Sequence, residues 1–420
     1  MKSRKYYFIL LFVSIWYQSF SQWTSLSTNT NQFLYGEYFL NKDTGFVFGD
    51  AVILKTIDGG TSWNTPFISL TSQFTSMTFA SDSIGFLVGD GGAVMKTTDA
   101  GNNWFSQFAQ PQLFYSIDFT DSLNGIIVGD EASIRITSNG GSTWTSITAP
   151  YLFGDSLFYY ELRTVQFIND SVAYAAGGPY YGATGILLKT INKGNSWSIV
   201  FQSYDFPVFL QIEFLNDSLG FASGSCHNNN PFCYRSKILR TDNGGLNWTE
   251  IYFDWADELR SIDVVGNSIY SVGYPLGNNP VVYSSDFGLN WNYQSTPNIT
   301  YPYQVFFTDS LTGYIVGDNG VVLKTNNGGV GFNELVPDNW GINIYPNPNN
   351  GTFSVSFSNQ KDKFSALEIM DINGRCIFSR DIPQWSTFEN ILLTDIAAGV
   401  YLLRIISNNL ALSKLLVIHP

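Results

Sequence analysis

Residues 79–104 read Phe79-Ala-Ser-Asp82-Ser-Ile-Gly85-Phe-Leu-Val-Gly89-Asp90-Gly-Gly-Ala-Val94-Met-Lys-Thr97-Thr-Asp99-Ala-Gly101-Asn-Asn-Trp104. Short apolar runs alternate with turn residues. Asp82-Ser-x-x-Gly85 and Gly89-Asp90 each reverse the chain between strands. Thr97-x-Asp99-x-Gly101 then reverses it again, and Trp104 opens a further strand. Asp at the third position can accept hydrogen bonds from its own turn. Gly at the fifth tolerates positive φ. The indole buries a broad flat surface against a neighbouring sheet.

The same unit recurs along the chain, and self-similarity at this period signals a repeat architecture. Trp stands at 23, 63, 104, 144, 197, 248 and 291, with gaps of 40, 41, 40, 53, 51 and 43. The turn has third-position residues Asp58, Asp99, Asn139, Asn192, Asn243, Asp286 and Asn327, and the last copy has Phe332 where the others have Trp. Four strands per repeat (A, B, C, then D at the Trp) and about 45 residues per unit are the dimensions of a propeller blade. The chain begins with a Trp strand, Gln22-Trp23-Thr-Ser-Leu, that no A–C strands precede, and the repeat at Phe307 has a weak D strand. The first strand is therefore expected to complete the last sheet and close a ring. The predicted fold is all-β: a seven-bladed β-propeller over 22–335, a linker at 336–341, and a small Ig-like β-sandwich over 342–420.

Composition agrees. Of 420 residues only 13% are charged while 16% are aromatic, and 38 are Gly, which suits short strands and tight turns. The net charge of −13 repels phosphate backbones and argues against nucleic acid. Lys2, Arg4 and Lys5 precede the apolar stretch 6–17, with small residues at Ser19 and Ser21. This predicts a signal peptide over 1–21, cleaved between Ser21 and Gln22. No later run is long and apolar enough to span a bilayer.

The repeat resembles bacterial neuraminidase-type Asp-box repeats. Its Gly-Phe-x-Val-Gly-Asp and Lys-Thr-x-Asp-Gly-Gly elements look most like propellers of the photosystem II assembly-factor type. Members of that family are known for an arginine-rich docking surface. Here the propeller holds only Arg135, Arg163, Arg235, Arg240 and Arg260, so a photosynthetic role is not supported. In the C-terminal module, Tyr345-Pro346-Asn347-Pro348-x-x-Gly351, Asp371-Ile-Asn-Gly374-Arg375, Gly399-Val-Tyr401-Leu-Leu-Arg404 and Lys414-x-x-Val417 resemble the type A C-terminal sorting domain of type IX secretion cargo. That resemblance implies passage through the periplasm and outer membrane. It also implies a secretion translocon and a C-terminal signal peptidase as partners, and a product that is released or held at the cell surface.

Loop insertions cluster on one face of the ring, in 149–163, 177–185, 202–209, 224–236, 252–260 and 273–280. They carry Tyr159, Tyr160, Tyr180, Tyr181, Tyr234, Trp255 and Tyr274 with interleaved acids. Such a surface suits stacking on an extracellular glycan or docking of a protein; equally, the rings could pack on one another. Cys226 and Cys233 bracket one loop and read as a disulfide given an oxidising route, with a metal site the alternative. No cofactor is expected, although the turn carboxylates could hold structural Ca²⁺ if their own backbone left them free. The protein is expected to be a monomeric binder. The alternative is a glycoside hydrolase, either sialidase-like or polysaccharide-degrading. Arginine is scarce, the Phe/Tyr-Arg-Ile-Pro start of sialidases is missing, and two His leave little room for His-dependent chemistry.

Overall fold

The computed structural model describes residues 23–69, 72–108, 112–150, 160–179, 185–203, 208–225, 236–254, 258–274, 280–294, 296–297, 299–329, 342–347, 349–357, 364–371, 376–383, 388–394, 396–397, 399–407 and 411–418. Among them, seven sheets carry the repeats. Their innermost strands are Leu34–Phe39, Phe74–Phe79, Phe114–Phe119, Tyr160–Phe167, Val208–Phe214, Glu258–Val265 and Pro302–Phe307. Each packs beside the next, and the last packs against the first. We number the sheets as blades 1–7 in that order and letter strands A–D outward from the axis.

The ring closes between chain ends. Thr24–Leu26 pairs antiparallel with Val322–Thr325, with Ser25 opposite Leu323. Trp23 is fully buried, and its indole N–H donates to Gln294 Oε1 at 2.9 Å. A Cβ on Gly329 would stand 2.8 Å from Trp23 Nε1, so Trp23 fills the aromatic place of the seventh turn. Phe332, the residue in that place by sequence, lies outside the described residues.

The seven turns share one geometry, and its anchor is the first-position hydroxyl. In every copy that hydroxyl accepts the N–H of the fifth-position Gly and donates to the Asp or Asn Oδ1. Thr56, Thr97, Thr137, Thr190, Thr241, Ser284 and Thr325 are all buried. The residue after the Asp or Asn also takes positive φ, even as Ala100, Lys193 and Phe287. Its N–H donates to the A–B turn of the same blade, as from Lys193 to Ser171 O at 3.0 Å. That bond locks two turns on one face. Thr190→Val keeps the shape but orphans the buried Gly194 N–H and removes both bonds between the hydroxyl and Asn192. It should cost about 1–3 kcal/mol, read as an unchanged denaturant slope with a lowered midpoint.

Two departures from uniform four-stranded blades have local causes. Blade 1 has three strands, Leu34–Phe39, Gly45–Gly49 and Val52–Thr56. After the Lys55–Asn64 bridge, Pro66 supplies no N–H for a fourth strand. Phe67–Ile68 instead runs parallel to Asn103–Phe108 of blade 2. Blades 4–6 also differ, because much of their inserted sequence lengthens strands. Their A strands have 8, 7 and 8 residues, against 6 in each of the other blades. Tyr160 and Tyr274, expected on loops, are ladder residues opposite Pro179 and Glu258.

The C-terminal unit is two sheets around one core. Ile342–Tyr345, Thr352–Phe357 and Phe388–Leu392 form one; Cys376–Asp381, Phe364–Met370, Gly399–Ser407 and Ala411–Ile418 form the other. Phe353, Val355 and Ile391 meet Leu367, Ile369, Leu403, Ile405 and Leu416 between them. The Pro-Asn-Pro segment clamps the last strand: Asn347 Oδ1 accepts the Val417 N–H at 2.8 Å, and the Asn349 N–H donates to Val417 O at 3.0 Å. Gly351, at φ +96, closes this turn by donating to Asn349 Oδ1. Tyr401 donates to Ala397 O. Arg404 sits 3.9 Å from Glu368, Gly399 pairs with Ile418, and Lys414 with Leu403. Pro346 begins the clamp; Pro348 and Gly374 lie outside the described residues.

Candidate functional site

The inner edge of each A strand has no strand beside it, so its N–H groups need other acceptors. Side chains of the preceding blade supply them in two rings. In the first, Ser76, Ser116, Gln211, Ser261 and Gln304 accept from Ile117, Val165, Ile262, Val305 and Glu37. Two residues further along, Asp118, Gln166, Glu213 and Asp263 accept from Phe167, Phe214, Val264 and Phe307. These bonds sew blade to blade around an axial cavity of about 420 Å³.

The cavity is acidic at depth. Glu37, Asp118, Glu213 and Asp263 line it, and among the described residues no lysine or arginine is ion-paired with any of them. Removal from bulk water pushes Asp118 up to about 6, against backbone donors that pull it down. The same cause takes Asp263 to about 7, and it shares a hydrogen bond with Glu213. Glu37 is 2% exposed, and neither carboxylate oxygen has a hydrogen-bond partner. Burial and the nearby Asp263 raise it well above the carboxylate range. Its register position holds Met77, Ile117, Val165, Ile212, Ile262 and Val305 in the other six blades. Set against one another, the A strands of the sequence single out this residue.

The mouth toward the B–C turns is aromatic, with two arginines each held by a glutamate. Arg163 lies over Tyr115 at 4.2 Å and Arg260 over Tyr303 at 4.7 Å. Tyr303 meets Tyr35 edge-on at 4.9 Å. Glu161 pairs with Arg163, Glu258 with Arg260 at 2.6 Å, and Tyr35 donates to Asp50 at 3.3 Å. Burial raises Tyr35 and Tyr115 to about 12, so both phenols stay neutral. This ring was not among the residues expected to bind.

Of the expected binders, Tyr160 is 4% exposed, and its hydroxyl donates to Pro150 O at 2.7 Å. Contrary to the expectation, it is a core residue, with no face of the ring left for a ligand. Tyr274 stacks on Tyr301 at 5.0 Å, near the mouth. Tyr159, Tyr180, Tyr181, Tyr234 and Trp255 lie outside the described residues, as do Cys226, Cys233, Ser21 and Gln22. The turn residues Asp58, Asp99, Asn139, Asn192, Asn243, Asp286 and Asn327 are held by their own turns. Bonds from Asn103 hold Asp99 down at about 2, and the Ser62 hydroxyl lowers Asp58.

Residues 343–419 match the family described as secretion system C-terminal sorting domain. The chain is type IX secretion cargo. The cargo is thus exported, to the cell surface or beyond. Segments 16–114 and 106–209 match the family of the photosynthesis system II assembly factor YCF48. A photosystem II assembly lipoprotein Ycf48 from Synechococcus sp. (strain CC9902) is 30% identical over 135 residues, 31% of the cargo and 37% of that relative. Among solved structures, "YCF48 bound to D1 peptide" superposes with TM-score 0.56 at 18% identity, covering 73% of the cargo and 97% of that chain. The WD40 β-propeller domain of Doa1 superposes with TM-score 0.54 at 10% identity, over 72% and 94%. The cargo carries a Ycf48-like propeller. Among its described residues no helix is long and apolar enough to cross a membrane.

Proposed function

We propose that this cargo is an extracellular binding protein, not an enzyme, that grips an extended polypeptide across the channel mouth. The observation that carries the reading is the ring of Tyr35, Tyr115 and Tyr303 with Arg163 and Arg260. Tyrosine and arginine are the side chains that anchor protein interfaces. The longer strands of blades 4–6 raise one side of that mouth into a wall. A similar propeller has been solved with a peptide bound, which supports a peptide over a glycan. A glycosidase needs a carboxyl free to exchange a proton with substrate. Asp118, Glu213 and Asp263 instead accept backbone N–H bonds that hold the blades together, which argues against hydrolysis.

The full chain should be tested on arrays of blocked extended peptides and of extracellular glycans. Peptide retention is expected, and it should weaken about tenfold or more in Tyr303→Ala or Arg260→Ala. Glycan-only retention, or release of reducing sugar from any polysaccharide tested, overturns the reading.

A further inference from the structure

We infer that the axial cavity is a receptor for a primary ammonium on a slender alkyl chain, seated at Glu213 and Asp263 with Glu37 behind them. The inference stands apart from the peptide reading. Four carboxyl groups face or border one cavity of about 420 Å³. Arg163, the one cation among its lining residues, is engaged by Glu161 and Tyr115. Glu37 gives the second observation: a buried carboxyl without a hydrogen bond, at a position that is apolar in every other blade. An unpaired buried acid costs stability, and a ligand cation in the cavity would offset that cost.

The cation is organic and not metallic. Among the described residues no three His, Cys, Asp or Glu side chains converge to hold a metal ion. Anions are repelled by the carboxylates. An ammonium brings three donors and needs no acceptor, so it matches walls made of carboxylates, Gln166, Gln211 and Gln304. A slender stem can pass between the tyrosines that line the mouth, Tyr35, Tyr115 and Tyr303. On entry the ammonium replaces the hydrogen shared by Glu213 and Asp263, so that proton leaves to solvent as the ion pair forms.

The test is calorimetric titration of the full chain at neutral pH. One arm uses 1,5-diaminopentane. The other uses a blocked glycine peptide with a single central lysine, with its norleucine counterpart as control. Binding is expected with proton release, seen as a heat that changes with the ionisation enthalpy of the buffer. Glu213→Gln and Glu37→Gln keep shape and should each weaken it about tenfold or more, with thermal unfolding confirming the fold. Tighter binding of the diamine identifies a free amine as the source; tighter binding of the peptide identifies a lysine side chain. The inference is overturned if neither probe binds at millimolar concentration, if 1,5-pentanediol or the norleucine peptide binds equally, or if both Gln variants leave affinity unchanged.

Discussion

Trp23→Ala lowers the stability of the propeller by about 4 kcal/mol and leaves it prone to aggregate. Trp23 is fully buried in the core between blades 6 and 7, with Tyr270, Val272, Val281, Phe307, Ile315 and Leu323. It meets Phe307 edge-on at 5.9 Å. Its loss also takes the indole donor from the buried Gln294. The location makes the effect larger than that of another turn indole. Trp63, Trp144 and Trp197 are half-buried, and the strands that follow Trp144 and Trp197 run on directly from their own turns. Trp23 holds a strand whose partner lies 300 residues away. Once it lets go, Val322–Thr325 becomes an open edge, ready to pair with another chain. Denaturant unfolding followed by tryptophan fluorescence, with light scattering alongside, reads both effects. A cost no greater than that of Trp197→Ala would show that ring closure does not depend on this residue.

Acidification from mild alkali toward the folded protein's optimum should stabilise the propeller. Asp118, Asp263, Glu213 and Glu37 all have folded-state pKa values raised by burial. The folded state therefore holds more protons than the unfolded chain. Their contribution is complete below the ordinary carboxylate range and is lost as pH rises through about 6 for Asp118 and about 7 for Asp263. Asp118, Glu213 and Asp263 are half-buried, so solvent in the channel offsets part of their desolvation, whereas Glu37 is fully buried. A fall of about 2 kcal/mol between mildly acid and mildly alkaline solution is the expected scale. Asp58, Asp99, Asp121 and Asp309 act the other way, because their folded values are lowered. Their stabilisation is present above the ordinary carboxylate range and is lost only in stronger acid. Stability should thus peak in mild acid.

Glu37→Met tests the same point at one position, with the residue that blade 2 uses there. It should raise stability by about 1–3 kcal/mol at neutral pH and flatten the alkaline fall. Thermal unfolding across pH measures both. A destabilised Glu37→Met protein would mean that the carboxyl has a compensating partner within the fold.

Six of the seven turns were legible because the residues that make them lie within eight positions of one another, whereas the seventh takes its aromatic from Trp23. Thr, Asp or Asn, Gly and an aromatic recur at fixed spacing, and the chemistry of each predicts a turn before any coordinates. Even so, the anchoring hydroxyl was underrated, because its burial in all seven copies is a property of the packed blades. The sorting motif was legible as a pattern. That Asn347 and Asn349 clamp the strand at Val417 was not, because some 70 residues separate them. The expected aromatic binders were read from loop composition, and Tyr160 was misplaced because strand length depends on how far the partner strand continues.

Sequence by itself determined the all-β repeat, the closure of its ends, the exported class of the chain and its acidic balance. These follow from local hydrogen-bond chemistry and alternation, which act over a few residues. Tertiary structure alone decided where the inner edges of the A strands find acceptors, and so which carboxyls meet at the axis. Ser76 reaches Ile117, Asp118 reaches Phe167 and Gln304 reaches Glu37, across 41, 49 and 267 residues. Such pairings depend on the register of one blade against the next. That register is set only when all the sheets have packed into a ring, and burial then converts an ordinary glutamate into the unpartnered group at its centre.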